Sequence, residues 1–251
     1  MPFATEHLVG DLAADTEIYR IFPLYRTEQL FVEKEMALIR PSKWEDPCDN
    51  QLYQLKIIDK TTKQPVCIKG LRNSYYGLCW TLTDESDAMW RIYSPDATSV
   101  RVRTTIGKLR KVFVSSDDKF AALKFYIGKV DYLSMADFNK VFAGGGSCFS
   151  AITDTSGDPS VQSLLLKRDA FQHEQEVRMI YHEPESAIDH GIVWKFPIEP
   201  CALFDQLCFD SRLPQPCFET NAKKFADTYG FAGEITRSTL YDIPIPDVIE
   251  I

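Results

Sequence analysis

Short runs of β-branched and aromatic residues recur along this 251-residue chain and never join into a long one. "EIYRIF" opens at Glu17, "ALIR" at Ala37, "GLCWTLT" at Gly77 and "SVRVRTT" at Ser99. "KFYIGKVDYL" follows at Lys124, "VRMIY" at Val177, "IVWKFPI" at Ile192 and "QLCFD" at Gln206. Each reads as a strand, bounded by Gly, Pro, Asp or Ser. "QLYQLKIID" and "KLRKVFVS" read the same way. Helical patterns are fewer: "TEQLFVEKEMA" with Thr27 as N-cap, a short helix after "TDESD", "SVQSLLLKRDAF", and "FETNAKKFADTYG" stopped by Gly230. Strands and helices do not alternate regularly, which excludes a doubly wound sheet. The expectation is an α+β fold of short mixed or antiparallel strands with peripheral helices. One domain, 1–251, is expected, with a motif-bearing core over 17–181 and completing strands and a helix over 182–251.

Composition narrows the function classes. The chain is 45% hydrophobic and 25% charged, enough for an ordinary core, with a net charge of −8. That charge argues against a bulk polyanion binder and leaves room for a local basic groove. "RVRTTIGKLRK" (101–111) is the candidate: five basic residues and no acidic one. One solvated basic strand face is the other reading of the same run. Seven cysteines without CxxC spacing point to reduced thiols and a cytoplasmic setting. Four scattered histidines give no metal-ligand spacing. The N-terminus lacks the pattern of a secretory signal, and no apolar run approaches a membrane span. The glycine-rich segment "AGGGSCFSAITDTSGDPS" (143–160) reads as a long mobile loop, a candidate lid.

Four clusters could carry chemistry. Arg20, in "IYR", could clamp a phosphate or carboxylate with its fork of donors. Thr81 and Thr83 in "WTLT" fall on one face of a strand, with Trp80 and Leu82 on the other. Trp90 and Tyr93 are three apart on the presumed helix and could flank a flat ring, or simply be core. In "FQHEQEVRMIY", Glu174, Glu176 and Arg178 alternate and would share one strand face. A solvated charge ladder fits that spacing. So does a catalytic edge, in which one carboxylate does chemistry and its neighbours tune it.

Taken in order, "IYRIFPL", "LIRPSKWEDP", "CWTLTDESDAMWRIY" and "FQHEQEVRMIY" resemble a bacterial domain-of-unknown-function family. Its signature runs L-Y-[RK]-[YF], F-x-D-P, a C-x-S-like strand leading to M-W-x-x-Y, and E-x-E-x-R. "WEDP" stands here for "FNDP", and "WTLT" for a serine-bearing strand. The signature is in turn similar to the Arg–Ser/Thr–Glu class of ADP-ribosyltransferase toxins. The resemblance implies a split-sheet, ADP-ribosyltransferase-like core with NAD as substrate and no metal. It implies that Arg20 holds NAD, that Thr81 and Thr83 steady the site, that Glu176 is catalytic and that Glu174 faces the acceptor. Tyr19, Trp80, Trp90 or Tyr93 would wall the nicotinamide, and Arg178 would orient the carboxylates. The partners implied are NAD, a macromolecular acceptor and an antitoxin protein, in a toxin–antitoxin or phage-defence setting. RNA or another nucleic acid is favoured over protein as acceptor. An NAD glycohydrolase and a non-catalytic binding module are the competing readings.

Overall fold

A computed structural model describes residues 8–50, 57–58, 61–66, 74–114, 125–143, 158–183 and 191–242. The chain begins with β1 (Leu8–Val9), β2 (Glu17–Phe22), helix α1 (Leu24–Glu33) and β3 (Glu35–Ile39). Two 3-10 turns, Pro41–Lys43 and Pro47–Asn50, lead to the small hairpin of β4 (Ile57–Ile58) and β5 (Pro65–Val66). Then come β6 (Tyr75–Thr81), α2 (Asp87–Tyr93), β7 (Val100–Thr105) and α3 (Ile106–Val114). β8 (Phe125–Lys129), β9 (Asp131–Leu133), α4 (Met135–Ala143), α5 (Asp158–Ser163) and β10 (Leu166–Arg168) follow. A 3-10 turn, Asp169–Glu174, precedes β11 (Glu176–His182). The chain closes with β12 (Val193–Pro197), α6 (Pro200–Leu203), β13 (Gln206–Phe209), α7 (Gln215–Asp227) and β14 (Glu234–Arg237). The mixture is α+β, with both parallel and antiparallel strand pairs.

These elements form two compact units. The first takes the described residues within 1–16, 36–82 and 106–197; the second those within 17–35, 83–105 and 198–251. In the first unit β11 lies between two antiparallel neighbours, β6 and β8, and β1 runs parallel to β8. Being central, β11 is covered on both faces: every residue from Glu176 to Tyr181 is buried. Ile180 packs with Tyr75, Tyr126, Val161, Leu164 and Leu165 on one side. Its neighbour Tyr181 points the other way and stacks on Trp194 at 4.2 Å and Phe125 at 4.7 Å. Gly128 makes the first of these packings feasible, because a Cβ there would sit 2.3 Å from Leu165 Cδ1.

The second unit orders β2, β7, β13 and β14, with only the last pair parallel. Phe31 of α1 is the hub of an aromatic core, 5.1 Å from Phe225 and 5.7 Å from Phe231. Arg212 closes α2: its Nη2 donates to the carbonyls of Trp90 and Ser94 while Asp210 holds it from behind at 2.6 Å.

Several expectations are corrected. Residues 106–114 are a helix, not a strand, because Ile106 and Leu109, three apart, are both fully buried. Thr27 is not an N-cap: α1 starts after Pro23, and the Thr27 hydroxyl bonds back to the Pro23 carbonyl. The helix expected over 160–171 is confined to Asp158–Ser163, and the residues after it pair as a parallel ribbon with β9. α4 drew no expectation, although Ser134 caps it by accepting the Asp137 amide at 3.1 Å. Most of "QLYQLKIID" and residues 144–157 of the glycine-rich loop lie outside the described residues. Among the described residues, no helix is long and apolar enough to cross a membrane, and no cluster of metal-binding side chains occurs.

Candidate active site

The Glu-x-Glu pair sits where a turn becomes a strand. Glu174 ends the 3-10 turn, Gln175 takes a left-handed conformation (φ 41°, ψ 53°), and Glu176 opens β11. The three charges therefore do not alternate along one strand; only Glu176 and Arg178 do. The left-handed residue swings Glu174 round instead, and both carboxylates reach one cation.

Backbone contacts hold this junction on three sides. The Thr81 hydroxyl donates to the Glu174 carbonyl at 2.5 Å, and the Leu82 amide to the Gln175 carbonyl at 3.0 Å. The Val130 amide donates to the Glu176 carbonyl at 2.9 Å. The Glu176 amide donates to the Tyr132 hydroxyl at 2.8 Å. β6 ends at Thr81, so Thr83 lies beyond the strand on which the sequence placed both threonines.

The side chains form a buried five-charge cluster. Glu174 is 5% exposed, Glu176 6% and Arg178 0%. Glu176 Oε2 accepts from Arg178 Nε at 2.8 Å and Nη2 at 2.6 Å, a two-pronged grip. Its Oε1 faces Lys167 Nζ at 3.3 Å, and the same ammonium donates to Glu174 Oε2. Asp49 completes the group, 2.9 Å from Arg178 Nη2 and 3.9 Å from Lys167 Nζ. Arg178 also donates to the Leu164 carbonyl at 2.7 Å. The Trp44 ring covers its guanidinium at 4.5 Å. Gly77 leaves room for that ring, since a Cβ there would stand 2.4 Å from Trp44 Cζ2. Asp46 grips Arg168 with both oxygens, at 2.8 and 3.2 Å. The "WEDPCD" turn thus contacts Arg178 through Trp44 and Asp49, and Lys167 through Asp49.

The field inside the cluster is uneven. Burial alone would push the Glu176 carboxyl up, but Arg178 and Lys167 outweigh it and hold it below the usual carboxylate range. For Asp49 burial wins, and its carboxyl stays above that range despite the same two cations. Burial would lower Lys167, but the carboxylates of Glu176, Asp49 and Glu174 raise it instead. The Tyr132 phenol is pushed to about 12, chiefly by burial, and is neutral at physiological pH.

The other sequence-derived candidates, Trp80 apart, belong to the second unit. Arg20 lies on β2 with its guanidinium 5.0 Å over the Phe22 ring. Tyr19 is buried, donates to Glu17 Oε2 at 2.7 Å, and lies under Arg101. Trp90 is fully buried with its indole N–H on Glu85, whereas Tyr93 is exposed, so the two do not present one common surface. Trp80, in the first unit, is buried within β6. The basic run is not one solvated strand face. Arg101 is buried against Asp84 and Gln206, Arg103 meets Glu17 and Glu234, and the remaining three charges fall on α3.

Lys167, Asp49, Trp44 and Tyr132 escaped the sequence reading. Two of them leave a faint mark in the sequence: Lys167 closes the apolar run "SLLL" just before Arg168, and Asp49 is a second Asp three residues after the one in "WEDP".

No family model matches the chain, and no curated protein matches it. Among solved structures it is similar to Thermus sp. 2.9 DarT in complex with NAD+. That likeness has a TM-score of 0.41 at 12% identity, over 90% of this chain and 97% of that one. Thermus sp. 2.9 DarT in complex with ADP-ribosylated ssDNA gives 0.41 at 12% identity, over 92% and 97%. The same protein in complex with carba-NAD+ gives 0.39 at 13% identity, over 90% and 97%.

Proposed function

We propose that the chain is an NAD-dependent ADP-ribosyltransferase with Glu176 as its catalytic carboxylate. One observation carries the reading: Glu176 is a buried carboxylate held below its usual range, with one oxygen fixed by Arg178. Breaking the nicotinamide–ribose bond develops an oxocarbenium-like positive charge. A fixed anion in a low-dielectric setting stabilises that charge without reorganising. Among the described residues, Oε1 takes only the longer contact from Lys167, and it is the oxygen suited to a ribose hydroxyl. Glu174, anchored through its carbonyl to Thr81, is in this reading the base that deprotonates the acceptor. Arg20 is assigned to the NAD phosphates and ribose by the resemblance in its motif. The acceptor in this reading is a macromolecule, with RNA or another nucleic acid favoured over protein. A toxin or phage-defence role is what the same resemblance implies.

A second reading has its own support. Both carboxylates are almost fully buried and already paired, as in a cluster that merely holds a strand and a turn together. Nicotinamide release from NAD, followed with and without RNA, DNA or cell lysate, separates the two. Glu176→Gln is expected to lower release by about 10²–10³. Glu174→Gln should lose transfer more than hydrolysis, and Arg20→Ala should weaken NAD binding. No release under any condition, with no NAD binding by calorimetry, removes the enzymatic reading; release without an acceptor makes the protein a glycohydrolase.

A further inference from the structure

We propose that Lys167 is a positioning residue of this site, whose ammonium draws the Glu174, Glu176 and Asp49 carboxylates to one point and fixes the face that Glu176 offers. Its catalytic consequence rests on the transferase reading above; its geometry does not. Lys167 is almost fully buried and lies 2.5 Å from Glu174, 3.3 Å from Glu176 and 3.9 Å from Asp49. Its backbone is set by the parallel ribbon, where it stands opposite Tyr132. The Phe171 ring, 4.7 Å from Nζ, closes its other side.

The groups around it come from four elements. Glu174 comes from the 3-10 turn, Glu176 and Arg178 from β11, Asp49 from the turn at 47–50, and Tyr132 from β9. The Arg168–Asp46 pair lies next to it, with Cys48 near that pair and Cys79 near Arg178. Arg178 serves Glu176 and Asp49, whereas Lys167 is the ammonium that joins Glu174 to Glu176. Without it, Glu176 keeps only Arg178 to offset its burial beside a second carboxylate, and its carboxyl moves up toward the neutral form. A neutral Glu176 no longer stabilises the sugar cation.

The test uses the full chain with 13C-labelled glutamate and follows the carboxyl resonances against pH. In Lys167→Met the Glu176 titration should move up by about one pH unit or more. The acid limb of nicotinamide release should move with it, while Lys167→Arg keeps both near wild type. Lys167→Ala should recover its rate in ethylammonium, which a purely structural loss would not do. In the wild type, 15N-lysine spectra should show one ammonium protected from exchange, a readout that needs no variant to fold. Unmoved carboxyl titrations in Lys167→Met, or no protected ammonium, overturn the proposal. A wild type that shows both signatures yet never releases nicotinamide overturns the proposed function and leaves the role of Lys167 standing.

Discussion

Each unit carries a network of acids and arginines, and the two behave as opposites. On the second unit's sheet, Glu17, Arg103 and Glu234 form a ladder across β2, β7 and β14, at 3.6 and 3.4 Å. Its members are open to water: the side chains are 50%, 26% and 51% exposed. In the first unit Asp49, Lys167, Glu174, Glu176 and Arg178 have side chains between 0% and 8% exposed. Similar residue types thus meet different media. Water screens the ladder, so each pair contributes little. The cluster lost its hydration on folding, and its attractions must offset that loss through close, multiple contacts. An arrangement of that cost is easiest to understand where a site needs fixed charge.

The comparison can be broken at several points. The largest expected effect is at Arg178. Arg178→Met leaves Glu176 and Asp49 buried without their main partner, and should cost about 3–5 kcal/mol in urea unfolding. A loss below about 1 kcal/mol would put the cluster in the same class as the ladder. Gly77→Ala comes next. The added methyl drives against Trp44, the lid over Arg178, and overpacking of this kind costs about 1–3 kcal/mol. Replacing Trp44 with Phe in the same chain should recover part of it.

Arg103→Ala should change stability by less than about 1 kcal/mol, and raised salt should shrink the difference further. A loss as large as that of Arg178→Met would mean that exposure is not what separates the networks. The subtlest effect is a slope. Glu176 is depressed in the folded chain, so its stabilisation is present above the usual carboxylate range and fades as pH falls through its lowered value. Asp49 is raised, so it has the opposite sign: its contribution is present at low pH and fades as pH rises through its folded value. Unfolding free energy measured against pH should therefore flatten on the acid side in Glu176→Gln. In Asp49→Asn the acid-side loss should persist.

What the sequence disclosed depends on how local each cause is. β2, β6, β7 and β13 were legible because β-branched and aromatic residues fill them and turn formers bound them. "LLLKR" reads as helix from its leucines, yet pairing with β9 overrides that propensity for Leu166–Arg168. "KLRKVFVS" misleads the other way: its β-branched end suggests a strand, but the burial of Ile106 and Leu109 wins. Within the site, Glu176 and Arg178 showed themselves by spacing two along one strand. Glu174 reaches the cluster by a route that its spacing does not suggest, because the left-handed Gln175 leaves no periodic trace. Lys167 and Asp49 reach Glu176 only through the folded chain, and no local pattern announces a contact of that kind.

The ribbon of β9 and β10 has only three residue pairs, too few to fix its own alignment strongly. Its alignment is nevertheless policed by charge. Sliding β10 by one position would bring Leu166 or Arg168 to the place of Lys167 and turn each side chain to the opposite face. Leucine there would remove one cation from the cluster, and the displaced lysine would be aimed elsewhere. A slip that puts leucine there buries three carboxylates with one cation fewer, which costs stability. Once the unit has packed, the cluster thus favours the native pairing of this short ribbon over a slipped one.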